Sequence, residues 1–177
     1  MAQIEQRAMP NLWFRLMALE YSTRSKPALA VDMLNRAGIC EGMNVLDFGC
    51  GPGRYTVPTA WIVGSGGVVY ALDIHPLAIR MVENKTRQRG LTNVRLICSS
   101  CATGLEFEML DAVLLLDTLH DVEDKDAVLG EIRRVLKPNG RLLYKDHTLR
   151  GAQLITLMKS KGFRMVGEGE MLSFLKC

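Results

Sequence analysis

Asp47, Gly49, Gly51 and Gly53 crowd the end of a short apolar run, in Val45-Leu-Asp-Phe-Gly-Cys-Gly-Pro-Gly-Arg54. Three glycines so close together let the backbone turn sharply and approach a ligand with no Cβ in the way. A helix beginning near Arg54 would aim its free N–H groups and positive dipole end into the same space. Other polar groups stand in the same relation to apolar runs: Asp73 after residues 68–72, Asp117, His120 and Asp121 after residues 112–116, and Asp146 and His147 after a further run. Carboxylates and imidazoles gathered around a glycine turn have the chemistry of a nucleotide-cofactor pocket with an ionisable rim.

Spacing narrows the cofactor. A dinucleotide turn reads G-x-G-x-x-G and delivers a pyrophosphate to the helix N-terminus. Here the glycines read G-x-G-x-G, and a carboxylate stands two residues before the first. Asp47 would repel a pyrophosphate and attract a cation. S-adenosyl-L-methionine carries an ammonium and a sulfonium and no phosphate, whereas an NAD-dependent oxidoreductase fails on the spacing. Asp73 lies twenty residues beyond Gly53, where nucleotide-binding α/β units carry the acid that accepts from both ribose hydroxyls. Its competing role is as the cap of the helix that starts at Pro76.

The elements that must position these groups alternate. Largely apolar runs at residues 45–48 with Asp47 set aside, 68–72, 93–99 and 112–116 read as strands. Between them, residues 55–63, 76–89 and 125–136 carry apolar residues at helical spacing, with Pro58 tolerable only in a first turn. Lys137-Pro-Asn-Gly140 is a turn before a fifth strand. Residues 163–166 and 172–175 suggest a final pair of strands. In an open α/β sheet the ligand lies at the carboxyl ends of the strands, at the switch point between the first and the fourth.

The stretch around Asp47 to Gly53 resembles motif I of the class I S-adenosylmethionine-dependent methyltransferases, in the group that includes the quinone-biosynthesis C-methyltransferases. The run Glu131-Ile-Arg-Arg-Val-Leu-Lys-Pro-Asn-Gly140 resembles that family's turn into strand five, with Asn139 in place of a glycine. Leu119-His120 is similar to its motif after strand four. The resemblance implies a Rossmann-like α/β fold, a seven-stranded, mostly parallel sheet with helices on both faces and an antiparallel C-terminal edge. It implies S-adenosyl-L-methionine as cofactor and direct in-line methyl transfer to a small-molecule acceptor. Asp47, Gly49, Cys50, Gly51 and Gly53 would hold the methionine end, Asp73 and Ile74 the ribose, and Asp117 would border both cofactor and acceptor. Asp117, His120 and His147 would face the acceptor, His120 serving either as a base or as a structural histidine. Aligning the segment after strand three puts Cys101 where the family has an adenine-binding acid, which leaves backbone groups near Cys101 and Ala102 for the base. An Asn/Asp-Pro-Pro-aromatic motif, as in adenine and glutamine amino-methyltransferases, is absent at Asp117-Thr-Leu-His120.

The domain expected is residues 41–177, one compact unit, preceded by two helices in residues 1–40 that cover the core or form a lid. Arg15 and Tyr21 are the lid candidates. Without long insertions the pocket is open unless those helices, or a second subunit of a homodimer, close it. A non-catalytic module that binds the cofactor but has no acceptor is the competing class.

Composition agrees with an ordinary globular chain of 177 residues, 48% hydrophobic and 23% charged, burying about 70% of its unfolded surface. The net charge of +3 is small and its Lys and Arg are interspersed with acids, so no dedicated nucleic-acid surface is expected. Five cysteines, an odd number, suit a reducing cytoplasm. Cys98 and Cys101 form a C-x-x-C with no further ligand spacing, so no metal site is expected from them. No run reaches the ~18 apolar residues of a membrane span.

Overall fold

The computed structural model describes residues 10–12, 14 and 27–177. Seven strands form one sheet in the order β3-β2-β1-β4-β5-β7-β6. Helix α1 (Pro27–Arg36) precedes β1 (Asn44–Phe48), and α2 (Thr56–Val63) leads to β2 (Val68–Asp73). Helix α3 (Pro76–Gln88) leads to β3 (Val94–Cys98), which is followed directly by β4 (Leu110–Leu116). A short 3-10 turn (Leu119–Asp121), α4 (Lys125–Val135), β5 (Leu136–Lys145), α5 (Gly151–Ser160), β6 (Phe163–Gly167) and β7 (Leu172–Lys176) complete it.

Strands β1 to β5 are parallel, and β7, antiparallel to both β5 and β6, joins β6 to the sheet as its far edge. Strand alternation sorts the core into two layers. Leu46, Phe48, Val113 and Leu115 pack with Val128 and Ile132 of α4 and Met158 of α5. Val45, Leu114 and Leu116 pack on the other face with Met33 and Leu34 of α1 and Ala60 and Val63 of α2. On that same face Val82 of α3 meets Ala71 of β2. The sheet is therefore buried on both sides, which is why its strands read as near-continuous apolar runs.

Local chemistry accounts for most boundaries. Pro58 is the third residue of α2, where a missing N–H removes no intrahelical bond. Asp124 caps α4 by accepting from the Ala127 amide at 2.9 Å. The turn expected at residues 137–140 is present as a bulge: Leu110 pairs with Leu136, and Ala112 pairs with Arg141. Asp111, opposite that bulge, accepts from Lys137 Nζ at 2.6 Å and from the Asn44 amide at 2.8 Å. It is a structural acid at the far end of β4 from the site.

Candidate active site

The turn after β1 crosses over the end of β2. The amides of Gly49 and Cys50 both donate to the Leu72 carbonyl, at 2.8 and 2.9 Å. Gly49, Gly51 and Gly53 all have positive φ, and their surroundings give them different tasks. A Cβ on Gly49 would lie 2.4 Å from the Thr118 side chain, whereas one on Gly51 would meet none of the described residues within 4 Å. Gly49 lets the turn close against the loop after β4, and Gly51 keeps the space above it clear. Gly53 has Val82 of α3 at 3.1 Å from its would-be Cβ, so it serves helix packing. Lys85 of α3 fixes the turn from behind, donating to the Pro52 carbonyl at 2.6 Å.

Asp73 ends β2 and is 9% exposed. Its Oδ2 accepts from the Gly51 amide at 2.8 Å and its Oδ1 from the His75 amide at 2.7 Å. Burial raises its carboxyl, while these two amides act against the shift. The cap of α3 is His75, whose Nδ1 accepts from the Leu77 amide at 3.1 Å. Helix capping therefore does not explain Asp73, whose carboxylate instead joins the glycine turn to the start of α3.

A cavity of about 380 Å³ opens at the carboxyl ends of β1, β2 and β4, lined by Gly49, Cys50, Gly51, Asp73, Ile74 and Asp117 among the residues expected from sequence. Asp117 holds a left-handed backbone at φ 49, and its amide donates to the Lys145 carbonyl at 2.7 Å. Cys50 lines the cavity as an inert thiol, because burial pushes its ionisation well up.

Other expected residues are elsewhere. Asp47 is 2% exposed and lies beneath the turn, its carboxylate accepting from Thr56 Oγ1 at 2.6 Å. Alternation along β1 sends it to the α2 face, so it does not line the cavity. Burial pushes its carboxyl up to about 7, assisted by the negative charge of Asp73. Gly53 also lies outside the lining. Cys101 packs against the core beneath α4, and burial raises its thiol. Its neighbours are drawn that way because Glu131 of α4 accepts from the Thr103 amide at 3.0 Å and from Thr103 Oγ1 at 2.5 Å. Neither Cys101 nor Ala102 lines the cavity; Ser99 and Ser100 do. Cys98 is exposed and all five thiols are free. Arg15 and Tyr21 lie outside the described residues.

The rim beyond Asp117 is where β4 and β5 end. His120 Nδ1 is 2.9 Å from Asp146 Oδ2, and the His120 amide donates to the same oxygen at 3.2 Å. Burial opposes ionisation of Asp146, but the Thr148 amide and His120 outweigh it and hold the carboxyl below its usual value. His147 Nδ1 is 3.6 Å from Asp117 Oδ1, and the His120 and His147 rings meet edge to face at 4.5 Å. Neither imidazole lines the cavity itself; His120 Nε2 lies 3.4 Å from Asp121 Oδ2 and His147 flanks Asp117, and both acids do line it. Also missed from sequence were Phe14 and His75, stacked at 4.2 Å on the cavity wall. Ser99 and Ser100 follow the end of β3, and the same rule that selected Asp73 and Asp117 would have selected them.

The doubly covered sheet, its strand order and a glycine-lined cavity at the strands' carboxyl ends define a Rossmann-like class I methyltransferase fold. Residues 39–171 match the family model described as "Methyltransferase domain", and the chain belongs to that family. It is 37% identical over 111 residues to a demethylmenaquinone methyltransferase of Geobacillus stearothermophilus, a match covering 62% of this chain and 47% of that protein. The matched region thus spans about half the length of that relative. A crystal structure of a SAM-dependent methyltransferase from Aquifex aeolicus superposes with a TM-score of 0.69 at 23% identity, covering 89% of this chain and 96% of that one. A structure from Methanococcus maripaludis superposes with a TM-score of 0.77 at 14% identity, covering 99% and 96%. Among the described residues, no helix is long and apolar enough to cross a membrane.

Proposed function

We propose that the chain binds S-adenosyl-L-methionine in the glycine-lined cavity and transfers its methyl group directly to a small-molecule acceptor. The observation that carries this reading is the Asp73 carboxylate, held by the Gly51 and His75 amides on the wall of that cavity. In this reading Asp73 and Ile74 take the ribose, and Gly49, Cys50 and Gly51 take the methionine end beside Asp117. The hydroxyls of Ser99 and Ser100 take the adenine edge that an acid at Cys101 would otherwise bind. Asp47 acts from beneath the turn, fixing it through Thr56.

The acceptor enters past Asp117, His120 and His147. When bound, S-adenosyl-L-methionine would supply an electrophilic methyl group on its sulfonium, and a nucleophilic atom of the acceptor placed beside Asp117 would take that methyl in line, with the neutral thioether as leaving group and the acceptor's proton lost to solvent. The protein's share is alignment and exclusion of water. Phe14, on the cavity wall, supports the reading of the N-terminal segment as a cover, and a second subunit is the other means of closing the mouth. A cytoplasmic setting, with no dedicated nucleic-acid surface, belongs to the same proposal.

Calorimetry with S-adenosyl-L-methionine is the first test. Saturable binding at micromolar concentrations is expected, and an absence of binding far above that range would sink the proposal. Transfer of a labelled methyl group to demethylated quinones, the acceptor class named by the Geobacillus relative, then tests the acceptor, with amines and phenols run beside them.

A further inference from the structure

We infer that His120, Asp146 and His147 form a binding site for a divalent transition-metal ion at the rim of the cavity. One donor atom from each of the three residues lies within 4.8 Å of the others. His147 Nδ1 stands 3.6 Å from Asp117 Oδ1. Zinc–nitrogen and zinc–oxygen bonds are about 2.0–2.2 Å. Two such ligands separated by 2.9 Å, as His120 Nδ1 and Asp146 Oδ2 are, subtend close to a right angle, which suits a six-coordinate ion. A hydrogen bond accounts for that pair equally well. It leaves His147, whose 3.6 Å separation from Asp117 Oδ1 is too long for one, grouped with that pair.

Charge points the same way. Asp146 meets the His120 imidazole and Asp117 the His147 imidazole, and among the described residues the side-chain oxygens of Asp146 accept from backbone amides and pair with His120. Two neighbouring cations are directed to carbonyls: Arg150 Nε donates to the Asp146 backbone oxygen and Lys125 Nζ to Val122. Two imidazoles with carboxylates favour zinc, cobalt, manganese or ferrous ions over magnesium or calcium, which prefer all-oxygen sites. His147 is 64% exposed at its side chain, so an ion has a way in. Asp146 is fully buried at its side chain and anchors the set through Thr148. An ion here would be a Lewis acid beside the entrance used by the acceptor; that role rests on the methyl-transfer reading, whereas the site itself does not.

The test uses the full chain, stripped with a chelator and titrated with Co²⁺, with Mg²⁺ as the hard-ion control. We expect one equivalent of cobalt to give visible absorption of a nitrogen- and oxygen-ligated ion, with no competition from equal Mg²⁺. His147→Ala and His120→Ala should each weaken the affinity at least about tenfold. Because His147 is largely exposed, its replacement keeps the fold, which circular dichroism verifies. No saturable signal in the wild type, an unchanged affinity in His147→Ala, or a near-ultraviolet sulfur-to-cobalt band assigning the ion to a cysteine would each overturn the inference. Calorimetry with S-adenosyl-L-methionine on the same metal-free samples separates its failure from that of the proposed function.

Discussion

Gly51 donates its amide hydrogen to Asp73 Oδ2 at 2.8 Å, so one carboxylate at the end of β2 sets the shape of the turn that follows β1. The second oxygen of Asp73 accepts from His75 at 2.7 Å. Both amides belong to residues on the cavity wall. Asp73→Ala should therefore weaken S-adenosyl-L-methionine binding by about 1.5–3 kcal/mol, the usual loss for hydrogen bonds to a charged group. Calorimetry reads this directly, and a cofactor affinity equal to wild type would leave Asp73 as a tie for the turn alone.

The glycines at 49 and 51 should fail in different ways. Gly49→Ala places a Cβ 2.4 Å from Thr118, adding overpacking of about 1–3 kcal/mol to left-handed strain of about 1–2 kcal/mol. Gly51→Ala meets no atom of the described residues within 4 Å, so the strain of about 1–2 kcal/mol is what applies, and the methyl group intrudes on the cofactor. Urea unfolding should show Gly49→Ala as the less stable of the two. Calorimetry should show Gly51→Ala folded yet impaired in binding at least about tenfold, for loss of close backbone approach. Equal stabilities together with intact binding by Gly51→Ala would contradict both assignments.

Asp47 gives stability a defined pH dependence. Its carboxyl is pushed from 3.8 up to about 7, chiefly by burial. Between those values the native state holds a proton that the unfolded chain has released. The contribution is therefore fully present below about pH 4 and is lost as pH rises through 7, with a slope of up to about 1.4 kcal/mol per unit. Asp47→Asn does not titrate and still accepts from Thr56, so the difference in unfolding free energy between variant and wild type should grow in the variant's favour from pH 4.5 to 7.5. Parallel curves would show that Asp47 keeps an ordinary carboxyl.

Glu131 holds the segment after β3. Arg134, bonded through Nε at 2.7 Å and Nη2 at 2.9 Å, is the main reason its carboxyl is pulled down to about 2, and Thr103 adds to it. A depressed carboxyl contributes stability that is present above its unfolded value near 4.5 and is lost only as pH falls through about 2. Glu131→Ala should cost about 1 kcal/mol at neutral pH, toward the low end because the pair is partly open to solvent. Faster hydrogen exchange at the Thr103 and Leu105 amides should accompany it, and unchanged protection there would remove the tether.

The strands, the helices and the turn at residues 137–140 were legible because their causes are local. Apolar runs bounded by glycine, proline and asparagine encode them within a few residues. The glycine turn was legible for the same reason, since positive φ is a property of the position. The directions of the Asp47 and Cys101 side chains were not legible, because a motif gives a position in the chain, while the direction of a side chain depends on what covers each face. Alternation turned Asp47 toward α2, and the Glu131–Thr103 bonds drew the segment around Cys101 under α4.

From sequence alone, then, came the kind of fold, implied by the family resemblance, and the acids Asp73 and Asp117 at the pocket's border, because strand ends follow from where apolar runs stop. Only the tertiary structure could decide that His120 meets Asp146, 26 positions away, and that His147 meets Asp117. Those contacts exist because β4 and β5 run parallel and end side by side. No pattern within either strand records which neighbour the other will be.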